Sequence, residues 1–170
     1  MDILLQLNSY CSKINTKEIA YFAIEKPEKI DYLIELTLSD KYPTNARAAW
    51  VLTTIMEIRK HVCEPYVDVL CNNLKKIENI SVARNYLKII SNYRIKEEFH
   101  AYIVEYCFRV INDSGIPVAN KIYSIDIIQN LCKIYPELAQ ELHVSLQENI
   151  NKSTVGFKSK AKKILKKDNG

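Results

Sequence analysis

Glycine is scarce in this chain of 170 residues, where only Gly115, Gly156 and Gly170 occur, against an average usage of roughly 7%. Hairpin turns, dinucleotide-binding turns and phosphate loops need backbone positions with positive φ, which glycine supplies at no steric cost. We therefore expect no fold that depends on such turns. Helices need no positive φ, and 48% hydrophobic residues are enough for one helical domain with a substantial core.

Long apolar runs and targeting signals are lacking too. No stretch approaches the ~20 apolar residues of a membrane span. The apolar run that begins at Ile3 is interrupted by Gln6 and Asn8 before it reaches the length of a signal sequence. The sequence predicts a cytoplasmic protein with no membrane contact.

Disulfide and zinc patterns are missing as well, because the cysteines are odd in number, far apart and never arranged as Cys-x-x-Cys. Most of them stand among apolar residues, which is typical of small core side chains rather than of metal or redox sites. The five cysteines interpreted in this way are Cys11, Cys63, Cys71, Cys107 and Cys132.

The net charge of +4 is concentrated at the C-terminal end. Residues 152–170 contain seven lysines and a single acid, Asp168, which leaves residues 1–151 with a net charge of −2. The body of the protein therefore lacks the basic excess that is typical of nucleic-acid-binding proteins. We interpret the lysine-rich last helix as a polar cap, with binding of an acidic partner or of nucleic acid as the alternative.

Prolines mark the helix starts, because proline at the first helical position loses no hydrogen bond and already has a helical φ. After Pro43, apolar residues such as Ala48, Leu52 and Ile55 recur at helical spacing and predict a helix up to about Lys60. Helices are predicted to open at Pro27, Pro43, Pro65, Pro117 and Pro136.

Two further segments have distinctive patterns. Residues 117–135 are apolar on two sides, which predicts a helix packed between neighbours. Residues 3–11, 17–25 and 27–38 predict three shorter helices, the second of which has Asn15 and Glu18 as a capping-box pair. About ten helices account for nearly the whole chain.

A repeat appears when the first helix of each later pair is aligned. Arg47, Arg84, Lys121 and Lys158 follow one another at intervals of 37 residues, and a threonine or isoleucine stands six positions after each of them. Two helices in such a period are typical of an α-solenoid. We predict one all-α domain over residues 1–170, a right-handed superhelix of antiparallel helix pairs in which residues 1–40 are less regular and residues 43–167 form the repeats.

Two stretches of this repeat resemble HEAT-repeat helices, in which a basic residue and an alanine precede leucine or isoleucine. They are Arg47-Ala48-Ala49-Trp50-Val51-Leu52 and Lys158-Ser159-Lys160-Ala161-Lys162-Lys163-Ile164-Leu165. The resemblance spans about residues 43–167 and implies a HEAT-like α-solenoid.

The chain is also distantly similar to the HEAT-like DNA alkylation-repair glycosylases. Proteins of that family hold DNA on a concave face through basic side chains, with aromatics and an aspartate at the damaged base. The similarity implies such a row for Arg47, Arg84 and Lys121, and a base-contacting pair in Tyr123 and Asp126. The same basic residues are equally suited to hydrogen bonding between repeats.

Motifs with catalytic or metal-binding chemistry are weak. Glu97 and His100 have the spacing of a di-iron ligand pair, but the second copy that such sites need is absent. His61 and Cys63 supply only two of the four ligands of a tetrahedral zinc site. We expect no catalytic residues, no metal and no cofactor.

Function is reached by elimination. We expect a non-catalytic scaffold that binds a protein or peptide, and nucleic-acid binding stays the alternative. The second helices of the pairs should expose the contact residues, with Asp68, Asn72, Lys75, Glu105 and Ser145 as weak candidates beside the tyrosines. The binding residues predicted by the two hypotheses are Arg47, Trp50, Tyr66, Arg84, Tyr102, Lys121, Tyr123, Asp126 and Glu141.

Overall fold

The computed structural model describes residues 1–9 and 12–167. Every regular element in these two ranges is helical, which confirms the all-α prediction. Cys11 and Asp168, which the sequence assigned to the first helix and to the C-terminal segment, lie outside the described residues. None of the described helices is long and apolar enough to cross a membrane.

The described ranges contain ten helices of seven or more residues and one helical turn of four. Two 3-10 turns, Glu64–Tyr66 and Glu97–Phe99, lie between them. The helices are α1 (Ile3–Ser9), α2 (Lys13–Ile24), α3 (Pro27–Thr37), α4 (Thr44–Ile58), α5 (Lys60–Cys63), α6 (Val67–Leu74), α7 (Ile80–Ile90), α8 (His100–Asn112), α9 (Val118–Cys132), α10 (Leu138–Ile150) and α11 (Val155–Lys167).

The chain divides into two compact units, Met1–Tyr93 and Arg94–Gly170. In the first unit α4 is the central helix and packs against α1, α2, α3 and α7. All six residues from Val51 to Met56 are buried, because neighbours cover this helix on more than one side. The prediction of a single domain over residues 1–170 stays a prediction.

The second unit is built around α9, which packs against α8, α10 and α11. Its buried residues Ile125, Ile127, Ile128 and Leu131 do not lie on one narrow stripe. The two-sided apolar pattern of residues 117–135 therefore predicted the sandwiched position of this helix correctly.

The prolines stand at or near helix starts, but only Pro27 occupies the first helical position. Pro43 and Pro117 are the residues immediately before α4 and α9. Pro65 lies inside the first 3-10 turn and Pro136 precedes α10 by two residues. The prediction that a proline opens each helix is therefore confirmed for Pro27 and wrong by one or two positions for the other four prolines. A missing N–H is also harmless just outside a helix.

The start of α2 also differs from the prediction. Ser12 is its N-cap and accepts a hydrogen bond from the Asn15 backbone N–H at 3.1 Å. Asn15 lies inside the helix, and its side-chain amide donates to the Gln6 carbonyl of α1 at 3.0 Å. The capping-box interpretation of Asn15 and Glu18 was therefore wrong, because Ser12 satisfies the first turn three residues earlier.

The interval of 37 residues corresponds to the structure. Arg47, Arg84, Lys121 and Lys158 lie within the first five residues of α4, α7, α9 and α11. The residues six positions further on are all at most 7% exposed and belong to the core: Thr53, Ile90, Ile127 and Ile164. The same repeat position is thus buried in each of these four helices.

Polar contacts join helices about one repeat apart in both units. Arg59 pairs with Glu25 at 2.9 Å in the first unit, and Lys160 pairs with Asp126 in the second. Both pairs are separated by 34 residues.

Candidate functional site

Tyr66 lies in the 3-10 turn between α5 and α6, where it contacts the beginning of α3. Its hydroxyl donates a hydrogen bond to the Pro27 carbonyl at 3.4 Å. Burial raises the pKa of Tyr66, and the carboxylates of Asp31 and Glu28 raise it further, together with the thiol of Cys63. Two side chains of α3 therefore place negative potential at this half-buried phenol.

The surface around Tyr66 is acidic. Glu28, Asp31 and Glu35 are spaced along one side of α3 and are exposed. Glu64 and Asp68 flank Tyr66 in sequence, while Lys29 is the one basic residue within α3 and residues 64–74. We call these residues the acidic Tyr66 surface: Glu28, Asp31, Glu35, Glu64, Tyr66 and Asp68.

The basic residues that share one repeat position have three different environments. Arg47 is half-buried, and its Nη1 donates to the Leu7 carbonyl at 2.6 Å, in the last turn of α1. Arg84 is exposed on α7. Lys121 is only 6% exposed, with its ammonium 6.0 Å from the centre of the Phe157 ring. Of the three, only Arg84 presents its charge openly to solvent.

In the predicted base-contacting pair, Asp126 already makes a contact within the fold. The Asp126 carboxylate of α9 forms an ion pair with the Lys160 ammonium of α11, and Tyr123 is half-buried on the same helix. This ion pair holds two neighbouring helices of the second unit together.

The remaining predicted contact residues are dispersed. Trp50 is half-buried on α4 and Glu141 is exposed on α10. Tyr102 is half-buried on α8, with its ring 6.1 Å from that of Tyr106. The prediction of Ser145 on an exposed face is wrong, because this residue is buried. Its hydroxyl accepts a hydrogen bond from the Asn112 amide of α8 at 3.3 Å.

A comparison with known protein families identifies the family of this helical chain. A family model described as the HEAT repeat domain matches residues 4–168, which covers nearly all of both units. The chain belongs to the HEAT repeat family. No curated protein and no solved structure matches it. HEAT repeats are typically protein-interaction scaffolds, so the family gives this chain a class of function without naming its partner.

In the two candidate metal motifs of this HEAT repeat chain, His100 and Cys63 are hydrogen-bonded within the fold. The ring nitrogens of His100 contact the Ile95 carbonyl at 2.9 Å and the Tyr135 hydroxyl at 3.0 Å. The Cys63 thiol donates to the Leu52 carbonyl at 3.8 Å. Across residues 1–9 and 12–167, no group of three His, Cys, Asp or Glu side chains is placed to hold a metal ion.

The acidic residues of α3 were missed at the level of sequence. The sequence predicts Tyr66 and Asp68 as contact residues because it assigns them to a second helix, whereas it places Glu28, Asp31 and Glu35 only in a less regular N-terminal helix. Their spacing along one helix face was the available signal. Its meaning depends on Tyr66, which lies more than thirty residues away in sequence and is brought to Pro27 by the fold.

Proposed function

We propose that this HEAT repeat chain is a non-catalytic scaffold that binds a protein or peptide segment rich in lysine and arginine on the acidic Tyr66 surface. The observation that carries the proposal is the position of Tyr66 among the carboxylates of Glu28 and Asp31. The family supports the general class, since HEAT repeats are typically interaction scaffolds.

Tyr66 is suited to be the anchor of such a surface. Tyrosine provides a large contact area with few rotatable bonds, which keeps the entropic cost of binding low. Its hydroxyl already bonds to the Pro27 carbonyl, so the ring is oriented before a partner arrives. The carboxylates of Glu28 and Asp31, which act on Tyr66, together with the other acids of this surface, would attract lysine and arginine side chains and accelerate association at low salt.

The alternative, a nucleic-acid-binding protein related to the alkylation-repair glycosylases, is disfavoured by the same side chains. Phosphate groups would be repelled by the acidic Tyr66 surface. Arg47 is engaged with the Leu7 carbonyl, and Asp126 is paired with Lys160. Two of the groups that would contact DNA in that hypothesis, Arg47 and Asp126, therefore already stabilise helix contacts.

Selection from a random peptide library displayed on phage, with the full chain as bait, tests the proposal. We expect enrichment of lysine and arginine among the selected peptides. A selected peptide should bind Asp31→Lys at least about tenfold more weakly than the wild-type chain, because one attraction becomes a repulsion.

Glu18→Lys is the matched control, because Glu18 is also an exposed acid but lies on α2, outside the acidic Tyr66 surface. It should change the affinity by no more than about twofold. A selection without enrichment of basic residues, or equal affinities for wild type and Asp31→Lys, would refute the proposed surface.

A further inference from the structure

A second feature, in the Arg94–Gly170 unit, is independent of the acidic Tyr66 surface. It is a cavity of about 130 Å³ at the start of α9 and α11, and its wall includes the Phe157 ring. Drug-sized ligands occupy about 300–1,000 Å³, so this cavity matches a single small group. Its polar lining residues, which we call the Lys121 pocket, are Ser114, Lys121, Asn149, Lys152, Ser153 and Thr154.

Lys121 is the unusual member of this pocket. The residue is only 6% exposed, yet its ammonium makes no hydrogen bond or ion pair with any described residue and lies 6.0 Å from the centre of the Phe157 ring. Burial lowers the pKa of Lys121, and the carboxylate of Asp113 opposes that effect. A lysine whose side chain is enclosed, and whose ammonium lines a pocket without a hydrogen-bonded anion, has its charge only partly compensated. Binding of an anion next to the Lys121 ammonium would therefore be favourable.

Two helix N-termini reinforce the preference for negative charge. The first helical hydrogen bond of α11 runs from the Lys158 N–H to the Thr154 carbonyl at 3.0 Å, so the preceding N–H groups start this 13-residue helix without helical partners. Helix α9 begins at Val118, in the same wall. Helix N-termini attract anions through these N–H groups and the helix dipole.

The side chains complete the chemistry of an oxyanion site. Ser114, Ser153 and Thr154 provide hydroxyl donors, and Lys152 is a second cation. None of the described lining residues carries a carboxylate.

We propose that the Lys121 pocket binds a phosphate group. The ligand is either free phosphate or the phosphate of a phosphorylated side chain, because both present the same oxygens to Lys121, Lys152 and the N-terminus of α11. This site is separate from the proposed peptide-binding surface, and either can exist without the other.

Titration of the full chain with inorganic phosphate at constant ionic strength tests the site, followed by nuclear magnetic resonance of the backbone amides. The amide of Gly156, in the first turn of α11, should shift and saturate. Lys121→Met should weaken binding by at least about tenfold, because it removes a charge-assisted contact. Lys152→Met should also weaken it, and since Lys152 is exposed this variant cannot fail through misfolding of the core.

Lys162→Met is the charge-matched control, because Lys162 is exposed on α11 and does not line the pocket. It should bind phosphate as wild type does. A parallel titration with O-phosphoserine separates the two sources: tighter binding than inorganic phosphate identifies a phosphorylated side chain, and weaker binding identifies the free anion. The proposal would be overturned if the wild-type amides showed no saturable shift. It would also be overturned if Lys121→Met and Lys152→Met both bound phosphate as tightly as wild type.

Discussion

Thr53 of α4 donates a hydrogen bond to the Asn85 side-chain oxygen of α7 at 2.8 Å. Both residues are buried, and the Asn85 amide is held by the Ser81 carbonyl at 2.8 Å. Thr53 occupies the position that is isoleucine in the three later repeats, at residues 90, 127 and 164. A polar bond thus joins two first helices at a point where the other repeats use apolar packing.

This bond should be measurable as a coupling between the two side chains. Thr53→Val should lower the free energy of unfolding by about 1–2 kcal/mol, because it leaves the Asn85 oxygen buried without this donor. In an Asn85→Ala background the same change should cost less than about 0.5 kcal/mol. Urea unfolding of the four proteins gives the cycle, and equal costs in both backgrounds would show that the bond contributes nothing.

Arg47 and Arg84 provide a matched pair, since they share a repeat position but differ in environment. Arg47→Met should destabilise the protein by about 1–2 kcal/mol, because it removes the donor to the Leu7 carbonyl at the end of α1. Arg84→Met should change stability by less than about 0.5 kcal/mol, since Arg84 is exposed. Amide exchange should also accelerate in α1 for Arg47→Met alone. Equal effects of the two substitutions would contradict this difference.

Lys121→Met should raise the free energy of unfolding in phosphate-free buffer by less than about 1 kcal/mol, because it removes a charge that burial of the side chain disfavours and that no hydrogen-bonded anion compensates. The lysine pKa is lowered in the folded state, so the charged form is penalised at neutral pH. That penalty disappears as pH rises through the folded pKa towards the ordinary value of 10.5. The advantage of the variant should therefore be full at pH 7 and shrink in alkali.

Lys162→Met is again the control and should leave stability nearly unchanged. Added phosphate should raise the melting temperature of the wild type but not that of Lys121→Met, because only the folded wild type binds the anion. A Lys121→Met protein that is less stable than wild type at pH 7 would show that the ammonium already has a favourable environment.

Two buried thiols of the first unit should make the protein sensitive to alkali. Burial raises the pKa of Cys63 and of Cys71 from 9.0 to about 12. Between these values the unfolded chain has lost thiol protons that the folded chain retains, so stability falls as pH rises. The loss between pH 7 and pH 10 should be roughly 1 kcal/mol per thiol.

The variant Cys71→Val isolates the contribution of one thiol, because Cys63 also raises the pKa of Tyr66 and of Tyr93. Lysines and tyrosines titrate in the same range in wild type and in Cys71→Val, so the difference between the two pH profiles reports the Cys71 thiol. Denaturant unfolding at a series of pH values should give a shallower alkaline decline for the variant. Parallel profiles would mean that the Cys71 thiol ionises as easily in the folded protein as in the unfolded one.

The sequence was most informative where one residue type served one geometric role. The interval of 37 residues could be found because every repeat buries the position six residues after its basic residue, as Ile90 and Ile127 illustrate. Ser12 was missed as the cap of α2 because Asn15 and Glu18 fit a competing cap pattern three residues later.

The environments of the basic residues could not be predicted from their spacing. Arg47 depends on where α1 ends, and Lys121 depends on the ring of Phe157, which belongs to the last helix. The acidic Tyr66 surface likewise combines a turn with α3, which lies much earlier in the chain. Repeat periodicity determines which helix face is buried, whereas such contacts depend on how the helices of each unit pack.

The most direct test of the scaffold hypothesis compares two probes in one assay. Fluorescence anisotropy would measure binding of the full chain to a selected lysine-rich and arginine-rich peptide and to duplex DNA, each at two salt concentrations. We predict that the peptide binds and that Tyr66→Ala and Asp31→Lys weaken it, while DNA does not bind at about 150 mM salt. Tight DNA binding with a steep salt dependence, unaffected by Asp31→Lys, would contradict the assignment of this HEAT repeat chain as a protein-binding scaffold.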